Sequence, residues 1–384
     1  LKKEVSKKLI ADKKKLSRMK DINKVVFFHL YNDFSGSPMV LSSVVKGFIN
    51  EGMDVELVTS KGGILDTIKD YENFKRHTFF YRFSRYRSIT LIRFIYAQAF
   101  MFFFALRYAF CKDTIFYINT ILPVGPAIAG KIIGKRVVYH CHENAWMKGR
   151  VYKELSRVMT WIADEIICVS EYQKNTLQSK RNANVVFNAV SDKFRGRLKF
   201  NPEGAFDRKK VMMACSAKIY KGVSEFLNIA AMLPQYHFTL ILNIREEVKE
   251  HFLNKYNLNP TDNVTVLSRV NNMDDYFNSS SIVLKLSIRS QVIETYGLTI
   301  AEGLCAGLPC IVPVTGGVRE LIDEGYNGFH IDSTETAKIA AKIDTLLTDR
   351  NLYITMSLAA KESSNKLSEK EMIERILKLS GCRK

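Results

Sequence analysis

The chain has 384 residues, 47% apolar and 25% charged, a composition that excludes a disordered chain, a small disulfide scaffold and a lone zinc module, and suggests about two domains at roughly 100–200 residues each. Lys and Arg number 57 against 39 Asp and Glu, a net of +18, which calls for an anionic partner: nucleic acid, a phosphorylated ligand or a lipid surface.

Residues 1–24 hold a net of +7 and residues 75–112 a net of +8, the latter with eight basic residues and no acid. The remainder is close to neutral, which argues against a nucleic-acid groove lined throughout by Lys and Arg and favours a local anionic surface. Seven scattered cysteines without a CxxC pair predict reduced, mostly buried thiols in a cytosolic protein, with no zinc site and no disulfide framework. The Lys-rich start lacks the apolar core of a signal peptide, so no export signal is expected.

Residues 1–20 place Val5, Leu9, Ile10, Leu16 and Met19 among lysines at roughly helical spacing, the pattern of a basic amphipathic helix or of a solvated tail. KVVFFHLY (24–31) reads as a strand, followed by the small-residue loop 32–38, a helix to Asn50 and a second strand, DVELVTS (54–60). That order opens a parallel, doubly wound sheet. Residues 79–110 are aromatic and basic, with an uncharged core from Phe94 to Leu106 of 13 residues. This core is too short to span a bilayer, which takes about 20 residues, and suits a helix lying in the membrane interface or a core helix with solvated arginines.

Strands follow at TIFYIN (114–119), RVVYHCHE (136–143), EIICVS (165–170) and NVVFNAV (184–190). A second series comprises KVMMACSA (210–217), HFTLILN (237–243), NVTVLSRV (263–270), SIVLKLS (281–287) and PCIVPV (309–314). Two series of similar size predict an α/β fold of two Rossmann-like domains facing a central cleft. The expected division is a basic extension 1–23, an N-terminal domain 24–200, a C-terminal domain 201–365, and a C-terminal helix 366–384.

The stretch 289–332 concentrates the chemistry. A loop with Glu294 and Gly297 leads into a helix at Leu298-Thr299-Ile300-Ala301-Glu302. The free amides of that first turn, with the positive end of the helix dipole behind them, suit a diphosphate, and Gly297 permits close approach to the main chain. Glu294 and Glu302 lie eight apart, the first in the loop and the second about one turn inside the helix, and either acid, facing a ribose, would accept from both hydroxyls.

The segment ETYGLTIAEGLCAGLPCIVPVTGGVRELI (294–322) resembles the signature of the retaining nucleotide-sugar glycosyltransferases of family 4, which have the GT-B fold. Glu294 and Glu302 fall on that family's E-x7-E motif, and Pro309, Gly316-Gly317 and Glu320 follow its order. Lys221-Gly222-Val223 resembles the family's diphosphate-binding lysine, Ser170 follows the usual strand, and Tyr139-His140-Cys141-His142-Glu143 resembles its first-domain His followed by an acid. The resemblance implies that Glu302 binds ribose, that Glu294 faces the donor sugar, and that Lys221 stabilises the departing diphosphate. It further implies that Gly36, Ser37, Leu298, Thr299 and Ile300 hold phosphate oxygens through their amides, and that His142 contacts the transferring sugar. It implies too that the N-terminal domain takes the acceptor and the C-terminal domain the nucleotide sugar, and that the last helix, near 368–380, crosses back to the N-terminal domain.

Departures from the family pattern are Lys218, standing where an arginine is usual, and Asn188-Ala189, which lacks a glycine. His140 and His142 compete for one place, since alternate strand residues share a face; His142 is favoured because it adjoins Glu143. His140-Cys141-His142 is too cramped to supply several metal ligands and no DxD motif ends a strand, so neither a metal nor a cofactor is expected. The implied partners are a nucleotide sugar, a glycan or lipid-linked acceptor, and an anionic membrane surface met by 1–24 and 79–110, without nucleic acid. The setting is the inner face of the cell membrane, in bacterial surface-polysaccharide assembly of the capsule or O-antigen kind. The alternatives are a GT-B-fold epimerase or phosphorylase, and a non-enzymatic basic binding module.

Overall fold

The computed structural model describes residues 22–145 and 147–382. The basic stretch 1–20, read as an amphipathic helix or a solvated tail, lies outside the described residues. Contacts divide the chain into two compact units. Unit 1 takes the described residues up to Val169, with 174–186 and those from 370 on; unit 2 takes 170–173 and 187–369. The change of unit thus falls at 186/187, whereas composition had suggested 200, because the Gly/Pro/Asn-containing stretch 196–208 packs within unit 2 and Asn201 caps a short helix there.

Unit 1 is built on a parallel sheet of order β3-β2-β1-β4-β5-β6-β7. Its strands are β1 (Lys24–Phe28), β2 (Asp54–Ser60), β3 (Phe74–Phe79), β4 (Thr114–Asn119), β5 (Arg136–Cys141), β6 (Glu165–Cys168) and β7 (Ala183–Val185). Central strands such as β1 and β4 are runs of Val, Ile, Phe and Tyr buried on both faces, the pattern of a parallel sheet covered by helices on each side. Phe27, Phe48 and Tyr117 cluster on one face, and Phe28, Phe104 and Phe116 on the other.

Helix α1 (Gly36–Asn50) follows β1, α2 (Arg87–Leu106) joins β3 to β4, α3 (Val124–Ile132) follows β4, and α4 (Arg150–Ile162) follows β5. The C-terminal helix Glu369–Ser380 belongs to this unit. Gly47 of α1 lies so close to its Ile373 that a Cβ would meet the side chain at 2.6 Å, and Arg136 donates to the carbonyls of Leu379 and Ser380.

Two features depart from the sequence reading. Strand β3, FKRHTF, carries too much charge to read as a strand, yet it is an edge, where Lys75 reaches solvent and discourages pairing with another chain while Arg76 donates to the Leu65 carbonyl. Helix α2 has 20 residues and mean hydropathy 1.8, so by length and composition it is long and apolar enough to cross a membrane, although only 13 residues had been counted. Arg93 does not interrupt it, because its guanidinium turns back to the carbonyl of Arg82.

Unit 2 repeats the plan with a parallel sheet of order β10-β9-β8-β11-β12-β13. The strands are β8 (Lys210–Cys215), β9 (His237–Leu242), β10 (Val264–Leu267), β11 (Ile282–Leu284), β12 (Cys310–Val312) and β13 (Gly328–His330). Helix α5 (Glu171–Thr176) is divided, with Glu171–Gln173 counting with this unit and the rest with unit 1; α6 (Val223–Met232) follows β8, and α7 (Leu298–Cys305) lies between β11 and β12. All seven cysteines are free, five of them buried.

In each unit the strand order reverses beside the first strand: between β1 and β4 in unit 1, and between β8 and β11 in unit 2. Loops leaving the carboxyl ends of the strands diverge at such a point and leave a crevice for a ligand.

Candidate functional site

The switch point of unit 2 holds a buried charge cluster. After β8, a 3₁₀ turn (Ile219–Lys221) delivers Lys221, and the turn is possible because Gly222 adopts φ +83°. A Cβ on Gly222 would meet the carbonyl oxygen of Leu286 at 2.1 Å, so the chain after β8 lies directly on the chain after β11. That contact brings Lys221 Nζ to 2.6 Å from Glu294 Oε1. Lys285, the residue after β11, places its own Nζ 3.2 Å from the same oxygen, and Ser287 Oγ donates to it at 2.6 Å.

Burial by itself would push the Glu294 carboxyl up, but the charges of Lys285 and Lys221 outweigh burial and hold it well below the usual carboxylate range. Lys221 is pulled below the ordinary lysine range by burial, with Glu294 opposing the shift. Two ammoniums against one carboxylate leave the corner net positive, which suits an anion of higher charge.

Eight residues on from Glu294, Glu302 lies one turn into α7 and is buried. Burial raises its carboxyl to about 8, with Lys285 opposing. Among the described residues nothing hydrogen-bonds or ion-pairs with this carboxyl, whereas Glu294 has three partners.

Gly297 opens α7 at φ +112°, its Cα packed so tightly that a Cβ would meet Val318 Cγ2 at 2.5 Å. The left-handed start tightens the first turn, and the Gly297 carbonyl accepts from both Ile300 (3.0 Å) and Ala301 (3.2 Å). The Ile300 amide, expected to serve a phosphate, is therefore occupied inside the helix, leaving Leu298 and Thr299 as the open donors of this turn among the described residues. Thr299 Oγ1 is also buried without a hydrogen-bond partner.

The remaining signature residues act as staples. Gly317 packs against the Thr295 carbonyl so closely that a Cβ would meet its oxygen at 1.9 Å, and its amide donates to the Glu294 carbonyl. Ser170 Oγ donates to Thr295 O at 2.7 Å. Glu320 accepts from the amides of Glu171 (2.8 Å) and Tyr172 (2.6 Å), capping α5. These bonds fix the loop bearing Glu294. Lys218 is exposed at the start of the 3₁₀ turn, and no side-chain bond joins it to the Glu294 cluster among the described residues.

At the switch point of unit 1, His29, Asn119 and His142 form a chain. His29 Nε2 lies 2.8 Å from the Tyr31 carbonyl, which can only accept, so Nε2 carries the proton. Burial lowers His29 to about 4, so the ring is neutral and its Nδ1 accepts from Asn119 Nδ2 (3.0 Å). Asn119 Oδ1 then faces His142 Nε2 at 3.0 Å, and that nitrogen donates. Burial, followed by the nearby His140, lowers His142 well below the ordinary range, and His142 is a neutral imidazole in a set orientation.

The ring of His140 stands 4.2 Å from that of His142, on the same side, as the strand period predicted. His140 is fully buried with Nδ1 on the Tyr117 hydroxyl, while His142 is partly exposed. Gly36 and Ser37 begin α1, and a Cβ on Gly36 would meet nothing within 4 Å.

Sequence reasoning missed Lys285. It sits in the apolar run SIVLKLS, and the available signal was a lone lysine at a strand end beside two candidate carboxylates. Among the described residues no group of three or more His, Cys, Asp or Glu side chains stands close enough to hold a metal ion.

Residues 34–194 match the family model described as Glycosyltransferase Family 4, and residues 197–363 match Glycosyl transferases group 1. An uncharacterized glycosyltransferase of Haemophilus influenzae is 24% identical over 249 residues, covering 63% of this chain and 67% of that one. The N-acetyl-alpha-D-glucosaminyl L-malate synthase of Bacillus anthracis is 32% identical over 107 residues, 28% of this chain and 27% of the relative, so this match spans about a quarter of that protein. Among solved structures, Anabaena HepE in complex with UDP and glucose superposes with a TM-score of 0.75 at 17% identity, over 92% of this chain and 98% of its own. The sucrose-phosphate synthase of Thermosynechococcus elongatus gives 0.74 at 15% identity, over 93% and 98%.

Proposed function

The chain is a glycosyltransferase of the GT-B type, and we propose that it moves a sugar from a nucleotide-diphosphate sugar to a hydroxyl of a glycan or lipid-linked acceptor. Transfer retains the anomeric configuration and takes place at the inner membrane surface, in assembly of a surface polysaccharide. The observation that carries this reading is the Glu294 cluster: a buried carboxylate bound by Lys221 and Lys285 in front of the open amides of Leu298 and Thr299.

In this reading the bond between the sugar's anomeric carbon and the diphosphate breaks, and the acceptor oxygen bonds to the same face of that carbon. The acceptor proton passes to the leaving phosphate oxygen. Lys221, Lys285 and the two amides face the charge that grows on the diphosphate, and this preorganised field supplies most of the acceleration. Glu294 keeps both lysines desolvated yet charged, and binds donor-sugar hydroxyls. Glu302 binds the ribose. In unit 1, the fixed imidazole of His142 contacts the transferring sugar, and the amides of Gly36 and Ser37 bind phosphate oxygens.

HepE is described with UDP and with UDP-glucose, which supports a nucleotide-sugar donor. WaaG, described as a glycosyltransferase involved in lipopolysaccharide biosynthesis, shares the fold with a TM-score of 0.65, and the basic aromatic segment 79–110 supports a membrane setting.

The test is incubation of the protein with a panel of nucleotide sugars and a membrane glycolipid extract, followed by NMR of the product's anomeric proton. One donor consumed only with the extract, yielding a product of the donor's configuration, is expected. Turnover without acceptor would mark an epimerase, dependence on inorganic phosphate would mark a phosphorylase, and no consumption of any donor would leave a basic binding module.

A further inference from the structure

Helix α2 presents two apolar faces, and only one is used by the fold. Ala97, Met101, Phe104 and Ala105 are buried in the core of unit 1. Gln98 locks the helix to α3: its side-chain oxygen accepts from the Gly125 amide, and a Cβ on Gly125 would meet the Gln98 carbonyl oxygen at 2.3 Å. On the other side, Ile92, Ile95, Tyr96 and Phe103 recur at helical spacing and are 66%, 58%, 51% and 67% exposed. Just before the helix, Phe83 and Tyr86 are more than half exposed as well. A continuous apolar stripe of this size marks an interaction surface.

Charge selects the occupant. The segment 75–112 has eight basic residues and no acid. Two copies joined across this face by a twofold axis would set like charge against like charge. An anionic lipid leaflet would complement it, with Tyr and Phe at the headgroup level and arginines on phosphates. Spanning is excluded for the folded unit, because the two ends of α2 are tied to β3 and β4 of one sheet. Beside the stripe runs an open groove of about 790 Å³, walled by Tyr96, Phe100 and Phe103 and edged by Arg76 and Arg107.

We propose that unit 1 docks on an anionic bilayer leaflet through the outer face of α2, its aromatic and aliphatic side chains entering the interface and a lipid phosphate lodging in the groove between Arg76 and Arg107. This deepens the membrane part of the function proposed above and rests on it for the setting. The docking itself is read without any sugar transfer.

The experiment is co-flotation of the full chain with vesicles of phosphatidylcholine alone and with phosphatidylglycerol added. Binding that requires phosphatidylglycerol and weakens with salt is expected. Ile92→Glu with Phe103→Glu places charge on exposed positions and should weaken binding at least about tenfold, and Arg107→Gln, at the edge of the groove, about fivefold. All three changes should leave the melting temperature and nucleotide binding as they were. Flotation with neither vesicle, or undiminished binding by the Ile92→Glu/Phe103→Glu chain, overturns the proposal. So does a dimer, seen by sedimentation velocity, that this variant splits. Vesicle binding without any sugar transfer would sink the function and leave the docking intact, and transfer to a soluble acceptor without vesicle binding would do the reverse.

Discussion

Glu294 and Glu302, eight residues apart across the start of α7, hold opposite protonation states at neutral pH. Glu294 is an anion between Lys221 and Lys285, while Glu302, with its carboxyl raised to about 8, keeps its proton. Adjacent carboxyls with divergent pKa values are a device for giving two like groups different tasks. Here one group fixes cations and the other waits, neutral, for a partner.

Glu302 makes stability pH-dependent. A carboxyl raised from 4.5 to about 8 on folding retains a proton that the unfolded chain has already lost, so stability is full below about 4.5 and falls as pH rises towards about 8. Glu302→Gln removes this dependence. Chemical denaturation at pH 6 and pH 9 should show a smaller loss of stability for the variant than for the parent chain, and equal losses would refute the assignment.

Lys221 and Lys285 share one carboxylate but differ in reach. Lys221 stands on the loop after β8 and Lys285 at the end of β11. Lys221→Ala should lower kcat by about 10²–10³, the usual cost of losing a donor aimed at developing charge. Lys285→Met leaves Glu294 partly uncompensated in a buried place and should cost about 1–3 kcal/mol of stability in urea melts. An unchanged melt for Lys285→Met would show that its ion pair carries no weight.

Gly222→Ala should unfold or strongly destabilise unit 2, by about 2 kcal/mol or more. Its left-handed φ and the 2.1 Å approach of the Leu286 carbonyl oxygen both oppose a methyl group. Thermal denaturation checks this, and a melt within a degree of the parent would contradict it.

Glu320→Ala removes a cap and no ligand contact. The loss should be about 1 kcal/mol, with Glu320→Gln recovering part of it. Nucleotide affinity should barely change, which isothermal titration calorimetry would register.

The two sheets were legible because parallel strands buried on both faces, such as β1, β4 and β8, announce themselves as unbroken apolar runs. The edge strand β3 was not, since an edge carries charge for its own protection, and β13 is three residues bounded by turns. The loop of Glu294 was legible from its glycines and acids, but which amides stay open depends on the bond from Ile300 to Gly297, a detail of backbone torsion. Lys285 was hidden by its apolar neighbours, because a sequence does not show that a lysine at the end of a strand meets a carboxylate nine residues further on. The sequence favoured His142 over His140 through its neighbour Glu143, but the full burial of His140 against Tyr117 and the chain of bonds from Tyr31 to His142 are tertiary features that no local pattern carries.

The most direct measurement is the shift in melting temperature of the purified chain with UDP, GDP, dTDP and ADP in turn. One diphosphate should stabilise it, by roughly 2.7 kcal/mol at about 100 times its dissociation constant, and both Glu302→Ala and Lys221→Ala should abolish the effect. A folded chain that responds to none of the four, or a stabilisation that survives both substitutions, would contradict the donor site described around Glu294.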